Sequence, residues 1–465
     1  MFTKTMKQII TAKLKLQTTP EQFKALRQTQ LAYRDALNHV SRFAFEHGKT
    51  SNHEKLHKGN YRDIRELFGL PSEMTANVIR QVEVTYKGLW TKLRKNIEHR
   101  RAKITKKRFR GLDRPPRYVS PTVTYNYKYD YSFKPEQQVS IRTLQGRIVI
   151  PFEGYGPHVA LIQHGATIKA GRLWYDKQRK RFNLLVCLER EIADATPEEQ
   201  QAFLGVDVGQ RYLAVTAAVT EESQFFSGKT ARARADHYAR LKKRLQRKGT
   251  RAAKRRLVDM SGRERRLKLN TNHVIAKRIV DRHPHTLIGL EDLTGIRERT
   301  RRRKHRRKVD KVQPMSPKAA RANRHASNWA FAELQNIIAY KAALSNSMAV
   351  KVDADFTSQA CPMCGYKDKK NRPQKGLLFL CQNKQCLYKQ RTGRPYTLHA
   401  DLVGARNIAM RTRCVWQDWA QSGQLSVAPG SLDGPDLSGG ETKAARLARL
   451  ARYADLRWSP GRNLR

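Results

Sequence analysis

The amino-acid sequence predicts a multidomain α+β chain, and three patterns predict it. Apolar residues recur at helical spacing within residues 17–118. They switch to strict alternation over 122–134, the period of a half-buried strand. Beyond residue 200, short apolar strand-like runs alternate with long helical stretches. The 465 residues leave room for about three domains, so core size is not limiting.

The elements follow in order. "KQIITAKLKL" (7–16) reads as a strand. Thr19, Pro20 and Gln22 then form a helix start: a capping threonine, a proline at the first helical position and a glutamine that completes a capping box. Phe23, Leu26, Tyr33, Leu37, Val40 and Ala44 carry that helix to about residue 47. A second helix is expected near 74–104, with Ile79, Val82, Tyr86, Leu89, Leu93 and Ile97 on its buried face and a basic run at its end. Val123, Tyr125, Tyr127, Tyr129, Tyr131 and Phe133 alternate with polar residues and read as one strand; the row is expected to be core rather than a stacking platform for bases. Strands continue through "VSIRTLQGRIVIPF" and "GRLWYDKQRKRFNLLVCLE", so a barrel that takes in the N-terminal strand is expected.

After the polar link "ADATPEEQQ", residues 203–219 read as a β-hairpin. Residues 231–283 are helical and dense in Lys and Arg, with breaks expected near Gly249 and Gly262. "HTLIGLEDL" is a strand, "RTRRRKHRRK" (299–308) a basic loop, 326–345 a helix with Ala330, Phe331, Leu334, Ile337 and Ile338 on one stripe, and "MAVKVDADF" a strand. The composition beyond residue 415 predicts a loosely ordered tail with a short helix at 441–456.

Lys plus Arg total 93 against 40 Asp plus Glu, a net charge of +53. Such self-repulsion opposes a compact state, and a polyanion is its natural compensation. The first residues lack the apolar block of a secretory signal, and no long apolar run or lipidation signal marks a membrane protein. Nucleic acid is therefore the expected partner. Four of the six cysteines cluster in "CPMCGYKDKKNRPQKGLLFLCQNKQC", which is no chain-wide disulfide framework and suggests a reducing compartment. Cys361 and Cys364 form one knuckle, Cys381 and Cys386 a second, and two knuckles closing one tetrahedral thiolate site are what structural Zn²⁺ requires. Such an ion would hold a small cationic module that has little core of its own.

Asp207 lies in the apolar strand "LGVDV", where an ionised carboxylate is costly without a partner. Glu291 closes "LIGLE", and Asp401 begins the helical "HADLVGARNIAMR" with Ala405, Ile408 and Ala409 on its buried face. If the three acids converge, their repulsion demands cations. Two Mg²⁺ or Mn²⁺ ions, held by carboxylate and water oxygens, would resolve it and could flank a phosphodiester.

The segments "LGVDVGQRYLAVTA", "LIGLEDLTGIR" and "HADLVGARNI" resemble the three motifs of a RuvC-type, RNase H-like nuclease. Residues 327–365 resemble the TnpB family of transposon-encoded RNA-guided DNA nucleases, related to compact type V CRISPR effectors. The likeness is specific over about 203–413 and only architectural over 1–200. It implies an α+β multidomain fold: an RNase H-like (RuvC) α/β nuclease domain at 201–356 and 396–415, with an inserted zinc ribbon at 357–395. It further implies an N-terminal helical recognition module at 17–118, a wedge-like β-barrel from 1–16 and 119–200, and a poorly ordered tail at 416–465. The family's catalytic acids fall on Asp207, Glu291 and Asp401, and its zinc ligands on Cys361, Cys364, Cys381 and Cys386. Two departures stand out: the second knuckle is CxxxxC rather than CxxC, and Val403-Gly404 replaces the usual Asn-Ala, while Asn407 matches.

The resemblance implies that a structured guide RNA pairs with one DNA strand and that the protein reads a short flanking duplex motif. A RuvC-like site would then cut single-stranded DNA by two-metal hydrolysis. Both double- and single-stranded DNA are implied partners, in a prokaryotic cytoplasm at the nucleoid. The basic loop 297–312 would gate the site. A CRISPR effector fed by a repeat array shares this chemistry. A non-cleaving RNA-guided repressor would lack one or more acids, and all three are present. A DNA-strand transposase lacks support from a tyrosine nucleophile in a His-rich motif, and a basic RNA chaperone leaves the strand acids unexplained.

Overall fold

The computed structural model describes residues 5–102, 105–119, 122–177, 179–193, 195–200, 202–219, 222–293, 331–373, 377–425, 450–453 and 455–458. The basic loops 297–312 and 299–308, and Ala330, lie outside the described residues. Two compact units divide after Ala193. Among the described residues no helix is long and apolar enough to cross a membrane.

The first unit opens with β1 (Thr5–Leu16), followed by three helices: α1 (Pro20–Glu46), α2 (His53–Phe68) and α3 (Ser72–Arg101). The capping box at α1 forms, with the Gln22 amide N–H donating to Thr19 Oγ1 and the Thr19 amide N–H to Gln22 Oε1. Leu26, Tyr33, Leu37, Val40 and Ala44 are buried on α1, and Ile79, Val82 and Tyr86 on α3. The face of α3 expected to stay buried further on does not: Leu89 and Leu93 are half-buried and Ile97 is exposed, so the last turns project from the core. Helix α2 was not expected. It carries only three buried side chains, Leu56, Asn60 and Ile64, too sparse a stripe to stand out.

The expected single strand at 122–134 is two strands, β2 (Thr122–Tyr125) and β3 (Tyr131–Lys134). Between them the chain turns: Lys128 takes a left-handed φ of 69°, and Asp130 Oδ2 accepts from the Asn126 amide at 2.8 Å. Alternation of side chains survives the turn, which is why the sequence reads through it. Val123, Tyr125 and Tyr131 are core, whereas Tyr129, at the tip, is 69% exposed. After β4 (Gln138–Thr143) and β5 (Gly146–Glu153) comes a short unexpected helix, α4 (Gly156–Gln163), then β6 (Thr167–Asp176) and β7 (Arg181–Ala193). The seven strands run β2-β6-β7-β1-β5-β4-β3, and the turn joins the two end strands through a bridge at Tyr127 and Tyr131, so the sheet is a nearly closed barrel.

The second unit is built on a five-stranded sheet, β10-β9-β8-β11-β12. β8 (Ala202–Asp207) and β9 (Tyr212–Ala218) form the expected antiparallel hairpin, extended by β10 (Ser223–Ser227). β11 (Thr286–Glu291) and β12 (Met348–Val352) lie parallel to β8. Helices α5 (Lys229–Lys248) and α6 (Arg251–Arg282) meet at Gly249, whose φ is 65°. The second expected break is absent, because α6 runs straight through Gly262. Glu264 beside it is anchored by Lys242 and by Lys268 at 2.9 Å, and tertiary contacts override the glycine.

Strands buried on both faces explain the near-continuous apolar runs. On one face Leu204, Val206, Ile288 and Leu290 pack against α6 and α7 (Phe331–Leu344). The opposite face bears Phe203, Gly205, Leu287 and Gly289 and is covered by a long helix that follows β13 (Leu378–Leu380), α8 (Leu387–Thr392) and β14 (Thr397–His399). That helix, α9, spans Ala400–Ser422. The tail was expected to begin at 416; instead Trp416 packs edge-on to Phe203, and its indole N–H donates to the Pro197 carbonyl, so the helix continues. Leu450, Tyr453 and Trp458 are likewise buried.

A Cβ at Gly205 would overlap the Ala405 carbonyl oxygen and the Ala409 nitrogen, and one at Gly289 would overlap Thr412 Oγ1. Gly205→Ala and Gly289→Ala are each expected to cost about 3 kcal/mol by denaturant unfolding. Gly262→Ala, with only the end of the Arg266 side chain nearby, should instead stabilise by up to about 1 kcal/mol.

Candidate functional site

In a strand, residues two apart share a face. Asp207 therefore points to the same side as Gly205, and Glu291 to the same side as Gly289: the side that α9 covers. The parallel register pairs Val206 with Leu290, so the two acids end neighbouring strands at the same level. Helix α9 runs against the strand direction, since Gly205 meets Ala405 and Ala409 while Gly404 lies against Asp207. Its N-terminus, with Asp401 in the first turn, thus lies at the carboxyl ends of β8 and β11, where the positive end of the helix dipole favours negative charge. A Cβ on Gly404 would come 3.0 Å from Asp207 Oδ2, so the glycine found where Ala is usual leaves room for that carboxylate.

The three acids share one electrostatic neighbourhood. Burial, then repulsion by Glu291 and Asp401, raises the Asp207 carboxyl well above its ordinary range, and Arg372 partly opposes this. Burial also raises Glu291, against the Thr357 hydrogen bond and the Arg411 charge; Asp401 adds repulsion. Among the described residues the four cysteine sulfurs form a ligand cluster, all within 4.8 Å of one another, and the three carboxylates form no such cluster. A hard cation held partly by water suits such a set, because oxygen donors and water together complete its shell.

Several side chains brace this arrangement, and of them the sequence reading had singled out only Asn407. Thr357 Oγ1 donates to Glu291 Oε1 at 2.6 Å, and the Gln335 amide donates to the Glu291 carbonyl at 2.8 Å. Asn407, which matched the family pattern, donates to the carbonyls of Thr357 (2.5 Å) and Ala360 (2.9 Å). Arg411 is buried and donates to the carbonyls of Asp353 (2.5 Å) and Asp355 (2.7 Å). Asn407 and Arg411 lie one turn apart on α9, so the helix grips the segment that leads from β12 to the first cysteine. His399 caps α9, its Nδ1 accepting from the Asp401 amide at 3.3 Å, which leaves the proton on Nε2. No local motif marks Thr357, Arg372 or Arg411; only the helical spacing of Asn407 and Arg411 could have singled out a pair.

The cysteine quartet forms as expected, with Cys364 and Cys381 sulfurs 3.7 Å apart. Cys361, Cys381 and Cys386 are buried together with Phe379 and Tyr396. Hydrogen bonding from Cys361 pulls the Cys364 thiol down to about 5, and burial pushes Cys381 up to about 12. Four sulfurs in this closed array are the donor set of a structural metal site.

A family model described as the Cas12f1-like TNB domain matches residues 331–408, and one described as a probable transposase matches residues 183–295. The chain is 30% identical over 227 residues to the CRISPR-associated endodeoxyribonuclease Cas12f2 of Micrarchaeota archaeon (strain CG1_02_47_40), covering 46% of this chain and 37% of that protein. It is 29% identical over 147 residues to Cas12f1 of Syntrophomonas palmitatica (strain DSM 18709 / JCM 14374 / NBRC 102128 / MPA), covering 31% of this chain and 25% of the relative. The chain therefore spans well under half the length of the curated relatives it matches. A solved structure of the mini-RNA-guided endonuclease CRISPR-Cas_phi3 aligns with 87% of this chain and 92% of its own, at 11% identity and a TM-score of 0.48.

The raised carboxyls make stability depend on pH. An unfolded chain releases these protons near the ordinary carboxylate values, 3.8 for Asp and 4.5 for Glu, and the folded chain holds them to higher pH. Metal-free stability therefore falls as pH rises through that interval. At pH 7.5 without divalent ions, Asp207→Asn should melt about 2–4 °C above the wild type. Added Mg²⁺ should then raise the wild type more than the variant. Identical melting curves in both conditions would mean that the carboxylates are not in conflict.

Proposed function

Because the chain belongs to the TnpB and Cas12f family, we propose that it is an RNA-guided DNA endonuclease with a RuvC-like, RNase H-like catalytic domain. One observation carries the reading: Asp207 and Glu291 end neighbouring parallel strands beneath the N-terminus of the helix that bears Asp401, and burial, with repulsion from Glu291 and Asp401, raises the proton affinity of Asp207. The crevice beyond the carboxyl ends of such strands is where α/β sheets place their ligands. Asp207, Glu291 and Asp401 would hold two Mg²⁺ or Mn²⁺ ions. When bound, these supply an activated water and a Lewis acid for the departing oxygen of a phosphodiester.

The chain's own groups have separate tasks. Thr357 fixes the Glu291 carboxylate, Asn407 and Arg411 fix the segment carrying Thr357, and Arg372 brings positive charge beside Asp207 for a phosphate to meet. Cys361, Cys364, Cys381 and Cys386 hold structural Zn²⁺, so the ribbon keeps Arg372 at the site. The +53 charge serves a folded guide RNA, its heteroduplex with the target and the displaced strand, through phosphate contacts that need little base recognition. The helical module and barrel of the first unit would hold the guide RNA and the short flanking motif. The names of the curated relatives favour a second reading with the same chemistry, in which the guide derives from a CRISPR array; the sequence of the co-purified RNA separates the two.

The test is cleavage of DNA matching that RNA, with Mg²⁺. Asp207→Ala should bind RNA and target as the wild type does and fail to cut. A wild type that binds the target and leaves it intact would favour a repressor. Arg372→Ala should bind RNA normally and cleave about 10²-fold more slowly, the usual scale for losing one charge-stabilising donor.

A further inference from the structure

We propose that the C-terminal stretch containing Leu450, Tyr453 and Trp458 is a strap that positions the acid-bearing helix α9, with Tyr453 as its main positioning residue. The proposal rests on the nuclease reading for its catalytic consequence and on packing alone for its structural one.

The stretch is far from inert. Tyr453 is 8% and Trp458 4% exposed, although both belong to a region whose composition reads as a tail. The Tyr453 ring lies 4.5 Å from the Arg411 guanidinium, and Arg452 pairs with Asp418, also on α9. Five residues on, the Trp458 amide donates to the Pro362 carbonyl at 2.8 Å, inside the first cysteine knuckle. The Trp458 ring lies 4.9 Å from Arg406, whose guanidinium donates to the Tyr396 hydroxyl at 2.7 Å. The strap therefore touches α9 at two cations and the cysteine module directly.

Its reach into the site follows from Arg411. One side of that guanidinium is covered by Tyr453, and its N–H groups hold the Asp353 and Asp355 carbonyls. Those carbonyls begin the segment from which Thr357 orients Glu291. The ring contact and the two donated hydrogen bonds together leave Arg411 a single orientation. Without the ring, water can reach the guanidinium, and both carbonyls lose a fixed donor. The segment and Thr357 then loosen while the guide-binding surfaces are untouched.

The experiment compares the full chain, loaded with guide RNA, as wild type, Tyr453→Ala and Tyr453→Phe. Tyr453→Ala should need roughly three- to tenfold more Mg²⁺ for half-maximal cleavage, in keeping with loss of one buried stacking contact. Its RNA affinity and zinc content should not change. Tyr453→Phe, which keeps the ring, should stay within about twofold of wild type. Hydrogen exchange should quicken in Tyr453→Ala over residues 353–360 and not in Tyr453→Phe. Wild-type Mg²⁺ dependence or wild-type exchange in Tyr453→Ala overturns the strap, as does equal damage in both variants. If the wild type does not cleave, the nuclease reading fails by itself, and the exchange comparison alone decides the strap: selective quickening supports it and its absence refutes it.

Discussion

The second unit depends on how closely α9 can approach its sheet. Two glycines, Gly205 on β8 and Gly289 on β11, remove the side chains that would hold the helix off, so its backbone rests almost on the strands. Given that contact, strand geometry sets the rest: two residues on, each strand must turn its next same-face side chain toward the upper end of the helix. Those side chains are Asp207 and Glu291. Neither acid could be moved to an adjacent position without facing α6 and α7 instead, in a largely apolar layer.

A helix packed so tightly becomes a shared frame. Its sheet-facing side is spent on small residues, Ala405 and Ala409, while Asn407 and Arg411 turn to the segment after β12. This answers the problem that buried acids pose. Repulsion among carboxylates would spread them if their supports were soft, and here each is tied to a regular element or to a hydrogen-bonded side chain. Burial first, and that repulsion after it, raise the proton affinity of Asp207 and Glu291, and the positive charge of Arg372 beside Asp207 opposes the rise.

Much of this was legible from local sequence. An acid closing an apolar strand is visible in "LGVD" and "LIGLE", and the cysteine spacing states its own chemistry. Both signals are short-range, carried by residues within one element. What was not legible depends on contacts between distant elements. The turn at 126–130 hides behind an alternation that continues across it, because nothing in the pattern reports that Asp130 folds back on Asn126. Helix α2 escaped because its buried stripe is thin, and Gly262 misled because glycine's cost is small beside the ion pairs around Glu264. Thr357, Arg372 and the buried Tyr453 have ordinary neighbours in the chain. Their importance exists only in three dimensions.

The parallel alignment of β8 with β11 also bears on how such a chain can vary in length. Residues 228–285 run from β10 to β11 through α5 and α6, so this connection could lengthen or shorten while Leu290 still sits beside Val206. Inserting one residue inside "FLGVD" or "LIGLE" is a different matter: it would rotate every later side chain of that strand by half a turn, sending an acid into oil and a leucine into the crevice. Growth and shrinkage of this architecture are therefore confined to its connections, and the ten or so residues that carry its chemistry must be inherited with their spacing intact.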